Sequence, residues 1–369
     1  MRKQKQTELG KALADAIRER GVITFADYMR TALYEPDWGY YTQPGVQRTG
    51  WSGDFFTSAD VSPLFGGAIA RWLRSVWAEF KFPDVFLVME DGAGRGLLRR
   101  EVLDWASEND KRFCAALRYH TRDMHEPQTM QPLKKNMYHC ILSNELPDAF
   151  PAHILERREH SFMEVYVAAT AEEPFLHEVL GPLSDARLVD YIHRYHLDEL
   201  PVPDSWRCEV HLQMDEWLAE IASALQTHGY ALTIDYGAAA EALYTPERMR
   251  GTLLCYTDHT TNENPLERTG ETDITAHVNF TALNDIGQKY GLQQIQLTTQ
   301  RDFLSELGII GDMQNVIHTQ FPQAETERHT DAGQIAYFRS SSLRSAVKTL
   351  LDPSGLGGFQ TLIQRKLAE

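Results

Sequence analysis

The sequence predicts an α/β protein built on a doubly wound, mainly parallel sheet, and three observations carry that expectation. Short apolar runs, "VFLVME" at 85–90, "LRYHTRD" at 117–123 and "CILSNE" at 140–145, recur between stretches with helical spacing. A glycine-rich turn, "GAGRG" at 92–96, follows the first run at once and leads into the helical pattern "LLRREVLDWASEN". The chain is also long, 369 residues, which leaves room for elaborations beyond one core.

Taken in order, residues 1–80 read as a helical N-terminal cap. "ALADAIRER" places apolar residues at helical spacing, and "DYMRTALYEPDWGYYT" must break at Pro36 and Gly39. Ser62 and Pro63 fit the cap and the first position of a further helix. Residues 81–170 form the first half of the sheet, with "TMQPLKK" as a helix between strands and "FMEVYVAA" alternating enough to run antiparallel. Residues 171–228 combine an acidic, proline-containing insertion with a long helix, "VHLQMDEWLAEIASALQTHG", closed by Gly229. Residues 229–369 complete the sheet, starting with "YALTIDYG". A polar stretch at 245–280 is long enough to serve as a substrate loop. "NFTALNDIGQKYG" and "RDFLSELGI" read as helices, and "QIAYFR" and "GFQTLIQRK" as late strands.

Composition narrows the function. A net charge of −16 disfavours nucleic-acid binding, which draws on a positive surface, and suits a basic acceptor. No apolar run reaches bilayer length. The first 21 residues lack an apolar signal core and contain Glu8 and Asp15, which points to the cytoplasm, with the mitochondrial matrix as the alternative. Cys114, Cys140, Cys208 and Cys255 show no C-x-x-C pairing, so reduced thiols are expected and no metal site.

The glycine loop selects the cofactor by elimination. A dinucleotide fingerprint counted from Gly92 and Gly94 needs glycine where Leu97 stands, and a triphosphate loop needs lysine and a hydroxyl where Leu97 and Leu98 stand. What remains is E-x-G-x-G-x-G, from Glu90 through Gly92 and Gly94 to Gly96. An acid before the glycines repels pyrophosphate but suits S-adenosylmethionine, which carries an ammonium and a sulfonium. Asp123, one βα unit later, is placed to accept hydrogen bonds from ribose hydroxyls. The competing reading of the loop is a plain strand-to-helix turn.

Chemistry is expected at "SNELPDAFP", residues 143–151, because the carboxyl ends of strands face the ligand crevice. As the end of a fourth strand, Asn144 and Glu145 would reach the donor's methyl group. Glu145 and Asp148 would hold a cationic acceptor, and a carboxylate beside it would take its proton. A turn that merely bonds to itself explains the same residues equally well. Asp273 and His277 stand apart in "DITAHVNF".

These segments together resemble the MidA family of S-adenosylmethionine-dependent methyltransferases. The resemblance runs through "ITFADYMRTALYEPDWGYY", "GDFFTSADVSPLFG", "SNELPDAFP", "LTIDYG", "RGTLLCYTDH", "DITAHVNF", "TTQRDFLSELGI" and "GLGGFQTL". It implies a class I methyltransferase fold and methylation of an arginine on a partner protein, in mitochondrial members a respiratory-complex subunit. It also makes Glu145, Asp148, Asp273 and His277 pocket residues, with donor bound by Glu90, Gly92, Gly94, Gly96, Asp123 and Asn144. The chain departs from the family pattern at Asp60, Glu101 and Asp123, which change carboxylate reach by one methylene, and in "MHEPQTMQ" at 124–131. Two other readings stand beside this one: a small-molecule methyltransferase, and an assembly factor that retains the fold without turnover.

Overall fold

The computed structural model describes residues 7–43, 56–124, 127–171, 175–257, 260–262 and 264–368. Its centre is a six-stranded sheet whose strands, in chain order, are β1 (Phe86–Asp91), β2 (Leu117–Arg122), β3 (Tyr138–Asn144), β4 (Leu225–Asp235), β5 (Leu292–Thr299) and β6 (Gln360–Lys366). Across the sheet the order is β5-β6-β4-β3-β1-β2. The four strands from β4 to β2 run parallel, while β6 is antiparallel to both β4 and β5. "CILSNE" is therefore on the third strand of this sheet, not a fourth. The helix expected before it, "TMQPLKK" at 129–135, does not form; only a 3-10 turn, Pro127–Thr129, reaches its first residue.

Five helices precede or follow the first strand: α1 (Glu8–Arg20), α2 (Phe25–Tyr34), α3 (Ser58–Val61), α4 (Pro63–Glu79) and α5 (Leu97–Asn109). The alternation of β1, with Phe86 and Val88 on one face and Met89 on the other, packs helices on both sides. Phe65, Ile69 and Leu73 of α4 and Leu98 and Val102 of α5 share one core with Phe86 and Val88. Met214, Trp217 and Ile221 share the other with Met89, Ile141 and Ala231. Because α4 belongs to the first core, residues 63–79 are part of the sheet's own packing and not of a separate N-terminal cap. Ser62 and Pro63 start α4 as expected, with the Ser62 hydroxyl accepting from Leu64 N at 3.3 Å.

A second, wholly antiparallel sheet joins Ile23–Thr24, His153–Arg158, Ser161–Ala169, Leu176–Gly181 and Arg207–Val210. "FMEVYVAA" runs antiparallel within it. The large sheet ends its first half at Asn144, so the expected boundary at 170 is not where the chain changes sheet. Helices α1 and α2 pack on this second sheet through Ile17, Phe25, Tyr28 and Met29 against Ile154, Val165 and Val167.

Two element assignments differ from expectation. The helix Gln213–Ala224 stops before Gly229, and β4 starts at Leu225. Gly229 is no helix cap: a Cβ there would lie 3.1 Å from the His139 carbonyl, so the glycine permits close strand approach. "QIAYFR" lies inside the helix Asp331–Leu350, capped by the Thr330 hydroxyl. Its buried residues, Gly333, Ala336, Ser340, Val347 and Leu350, recur at helical spacing over a window longer than the six residues that suggested a strand.

The ends of β1 and β2 are locked together by a buried ion pair. Arg122 Nε and Nη2 donate to the two oxygens of Asp91 at 2.8 and 2.6 Å, Trp217 Nε1 donates to Asp91 at 2.9 Å, and Arg122 Nη1 reaches Glu220 at 2.9 Å. Removing one partner strands the other's charge in the interior. Arg122→Ala is expected to lower stability by about 3 kcal/mol, read from the midpoint shift in urea unfolding; a change under about 1 kcal/mol would mean the pair behaves as a solvated one.

Candidate active site

The glycine loop is built as a cradle. Gly92, Gly94 and Gly96 all adopt positive φ, and Gly92 N and Ala93 N donate to the Arg122 carbonyl, which ties the loop to β2. A Cβ on Gly94 or Gly96 would meet nothing within 4 Å, so the loop keeps an open face there. Gly92 has a different reason: its Cβ would fall 2.8 Å from the Leu146 side chain, so it lets the "NELPDA" turn pack on the loop. Asp123, one residue beyond β2, accepts from Gly94 N at 2.6 Å and thus lies on the open loop.

Glu90 lies beneath the loop, buried, with its Oε2 accepting from the Tyr119 hydroxyl at 2.9 Å. Burial pushes its pKa up to about 8, so it is mostly neutral at pH 7. The expected charge repulsion of pyrophosphate therefore loses its source, and the exclusion of a dinucleotide rests on glycine register alone. An open, glycine-lined loop without a lysine, beside one carboxylate placed for a diol, fits S-adenosylmethionine.

Strand β3 delivers Asn144 and Glu145 beside this loop. Glu145 takes φ +54°, a left-handed conformation that a non-glycine residue holds only when its surroundings fix it. Its surroundings do so. Glu145 N donates to the Ile234 carbonyl at 2.9 Å, its Oε1 accepts from Ser58 N and Asn144 Nδ2 at 3.0 Å each, and its Oε2 accepts from the Tyr236 hydroxyl at 3.2 Å. Burial nonetheless raises its pKa to about 7. The Oδ1 of Asn144 is buried without a hydrogen-bond partner.

Asp148 follows on a 3-10 turn, Pro147–Ala149, and is buried with its Oδ1 unpartnered. Burial and the neighbouring charges of Asp235, Asp273 and Glu145 push its pKa well above the carboxylate range. Asp235, the last residue of β4, organises the turn: its oxygens accept from Asp148 N at 3.2 Å and Tyr236 N at 2.7 Å. Asp273 accepts from the Tyr41 hydroxyl at 2.7 Å, and the Tyr34 hydroxyl donates to the Ala149 carbonyl at 2.8 Å. His277 stacks on Tyr236 with ring centroids 6.4 Å apart, and burial with nearby Arg248 lowers its pKa to about 4, so it is neutral.

The structure thus brings Glu145, Asp148 and His277 together around Tyr236, with Asp273 near enough to act on Asp148, and puts Gly92, Gly94, Gly96 and Asp123 at the neighbouring loop, with Asn144 at the end of β3. Glu90 stands behind them. Asp235, Tyr34, Tyr41, Ser58 and Arg95 were missed. For Asp235 the signal was present, an acid ending an apolar strand in "LTIDYG". For Ser58 and the tyrosines it was not, because their contacts cross from the N-terminal segment to residues far along the chain. Residues 53–55 and 125–126, in the segments "GDFF" and "MHEPQTMQ", lie outside the described residues.

Two predictions follow from this geometry. Gly94→Val puts a β-branched side chain at positive φ and into the open face; it should cost about 1–2 kcal/mol of stability and abolish binding of S-adenosylmethionine in calorimetric titration, and undiminished binding would displace the donor from this loop. For Glu145 the folded pKa exceeds the ordinary value near 4.5, so its contribution to stability is full below that value and is lost as pH rises through about 7. Glu145→Gln removes this loss, so the variant should gain thermal stability over the parent at about pH 8 more than at about pH 5, a difference that melting curves at the two pH values measure.

The comparisons with known proteins give the family. Residues 68–135 and 125–298 match the family model of S-adenosyl-L-methionine-dependent methyltransferases. Among curated proteins, the chain is 25% identical over 392 residues to the Drosophila melanogaster protein arginine methyltransferase NDUFAF7 homolog, mitochondrial, covering 95% of this chain and 82% of that protein. It is 25% identical to the Homo sapiens protein arginine methyltransferase NDUFAF7, mitochondrial, over 82% of this chain and 74% of that one. Among solved structures, a COG1565 superfamily member from Burkholderia thailandensis, bound to S-adenosyl-homocysteine, superposes with a TM-score of 0.81 at 23% identity, covering 97% of this chain and 92% of that one. Sheet order, glycine cradle and family match lead to one conclusion: the chain belongs to the family of S-adenosyl-L-methionine-dependent methyltransferases, the MidA-like methyltransferases, and S-adenosylmethionine is its cofactor.

Proposed function

We propose that this methyltransferase acts on an arginine side chain of a partner protein. The observation that carries the reading is the buried group of Glu145, Asp148, Asp235 and Asp273, in which an Asp148 oxygen has no partner. Such a site is costly until a cation enters, and a planar guanidinium offers several N–H donors to answer several carboxylate oxygens. The names of the curated relatives, protein arginine methyltransferases, support the same acceptor.

On this reading Gly94, Gly96, Asp123 and Asn144 contact the donor, while Glu90 and Gly92 shape the loop that holds it. S-adenosylmethionine, when bound, supplies an electrophilic methyl group on its sulfonium. Glu145 and Asp148 hold the guanidinium in line with it, which is the main requirement of methyl transfer. Glu145, with a pKa near neutrality, takes the proton that the attacking nitrogen must lose. His277, being neutral, adds no competing positive charge and lines the acceptor side with Tyr236.

The swaps at Asp60 and Asp123 argue against a degenerate protein, since both shorter carboxylates still reach partners, Arg95 and Thr57 for one and Gly94 N for the other. The relatives' names also favour the mitochondrial location over the cytoplasmic one that the amino terminus suggests. No helix among the described residues is long and apolar enough to cross a membrane.

Incubation of the protein with methyl-labelled donor and an extract of cells lacking it should label methylarginine after hydrolysis, and Glu145→Gln should bind donor normally yet transfer about 10- to 1,000-fold more slowly. Label on another residue type would overturn the arginine assignment, and equal rates would remove Glu145 from the chemistry.

A further inference from the structure

Between the glycine loop and Glu145 stands a short element that neither the donor nor the acceptor reading uses. Helix α3 touches both sides at once. Its Ser58 N donates to Glu145 Oε1 at 3.0 Å, while its Asp60 forms an ion pair with Arg95, the residue between Gly94 and Gly96. Ser58 is fully buried and its hydroxyl donates to the buried Gln300 at 3.0 Å, so this end of the turn is anchored to the body of the protein.

One carboxylate does two jobs here. Asp60 Oδ2 accepts from Thr57 N at 3.1 Å and from the Thr57 hydroxyl at 2.9 Å, which closes the turn, and Asp60 Oδ1 binds Arg95, which ties the turn to the loop. The Asp60 side chain is 6% exposed and that of Arg95 is 42% exposed, so the charge on the turn is sheltered while its partner reaches it from the solvent side of the loop. Glu145, for its part, sits at positive φ and depends on outside contacts to stay there.

We infer that Asp60 and Arg95 are positioning residues that make the placement of Glu145 depend on donor binding. The inference rests on the reading of Glu145 as the acceptor's carboxylate. Closure of the loop on the donor fixes Arg95, Arg95 fixes Asp60 and the turn, and the turn presents Ser58 N to Glu145. The donor-free protein then holds its acceptor carboxylates loosely, and the loaded protein holds them in place.

Hydrogen exchange of the full chain, with and without S-adenosylhomocysteine, tests this without knowing the acceptor. In the parent, the ligand should slow exchange by about fivefold or more at 92–98, 57–61 and 144–148. In Arg95→Gln, and independently in Asp60→Asn, slowing should persist at 92–98 and at Asn144 and vanish at 145–148, while Asp60→Glu should restore it. Slowing at 145–148 that survives in both variants would overturn the inference and leave the donor site intact, because the ligand would then act on Glu145 without Asp60 and Arg95. Slowing in the parent at 92–98 alone would also overturn it. No slowing at 92–98 in the parent would instead overturn the donor site itself.

Discussion

The active site depends on the parallel register of β1, β3 and β4. Asp91 lies level with Ser143, and Ser143 with Thr233, so the ends of these strands arrive together at one edge of the sheet. Beyond that edge the turns leave backbone N–H groups that carboxylates satisfy: Asp123 accepts from Gly94 N, and Asp235 from Asp148 N and Tyr236 N, while Asp91 locks the strand ends through the Arg122 side chain. The loop, the "NELPDA" turn and the start of the 236–238 segment are all hung from acids that the strands position.

That arrangement carries an electrostatic cost. Four carboxyl groups at the acceptor side are buried or nearly so; burial raises the pKa of Glu145, Asp148 and Asp235, and the charges of Asp235, Asp273 and Glu145 raise that of Asp148 further. The donor-free protein therefore holds protons there that an unfolded chain would release. On the proposed arginine acceptor, a guanidinium entering the site would replace those protons, so acceptor binding and proton release would be one event. A lone ammonium would satisfy fewer of these oxygens, which is how burial turns charge attraction into selectivity. The site gives up some stability for that purpose.

The parts of this protein legible in the sequence are those set by local rules. Glycines at alternate positions after an apolar run, an acid one βα unit later and a proline-pinned turn after the next strand are patterns of spacing, and the structure brings those residues together. The misassignments have equally local causes. "QIAYFR" is a short apolar run that reads as a strand over six residues, but its neighbours continue the pattern of a 20-residue helix. Gly229 resembles a helix stop and instead relieves contact with His139. The remaining omissions have no local signal at all: Tyr41 meets Asp273 across 232 residues and Ser58 meets Glu145 across 87. No periodicity encodes such a pair.

Those long-range pairs explain why the large sheet by itself does not define the reaction. The sheet and its glycine loop supply a donor site of a kind that serves many acceptors. What distinguishes this chain is brought from outside it: Tyr34 and Tyr41 at and just after the end of α2, Ser58 and Asp60 from α3, and Asp273 and His277 from the end of the 245–280 stretch. Each meets the sheet's edge through a hydrogen bond, ion pair or ring contact with a residue of the turns that follow β1, β3 and β4, or with another of these added residues. On the proposed reading, acceptor chemistry is assembled by the N-terminal elements and the 245–280 stretch on an edge that the parallel strands prepare, and a change of acceptor within this family would have to appear in those elements before it appeared in the sheet.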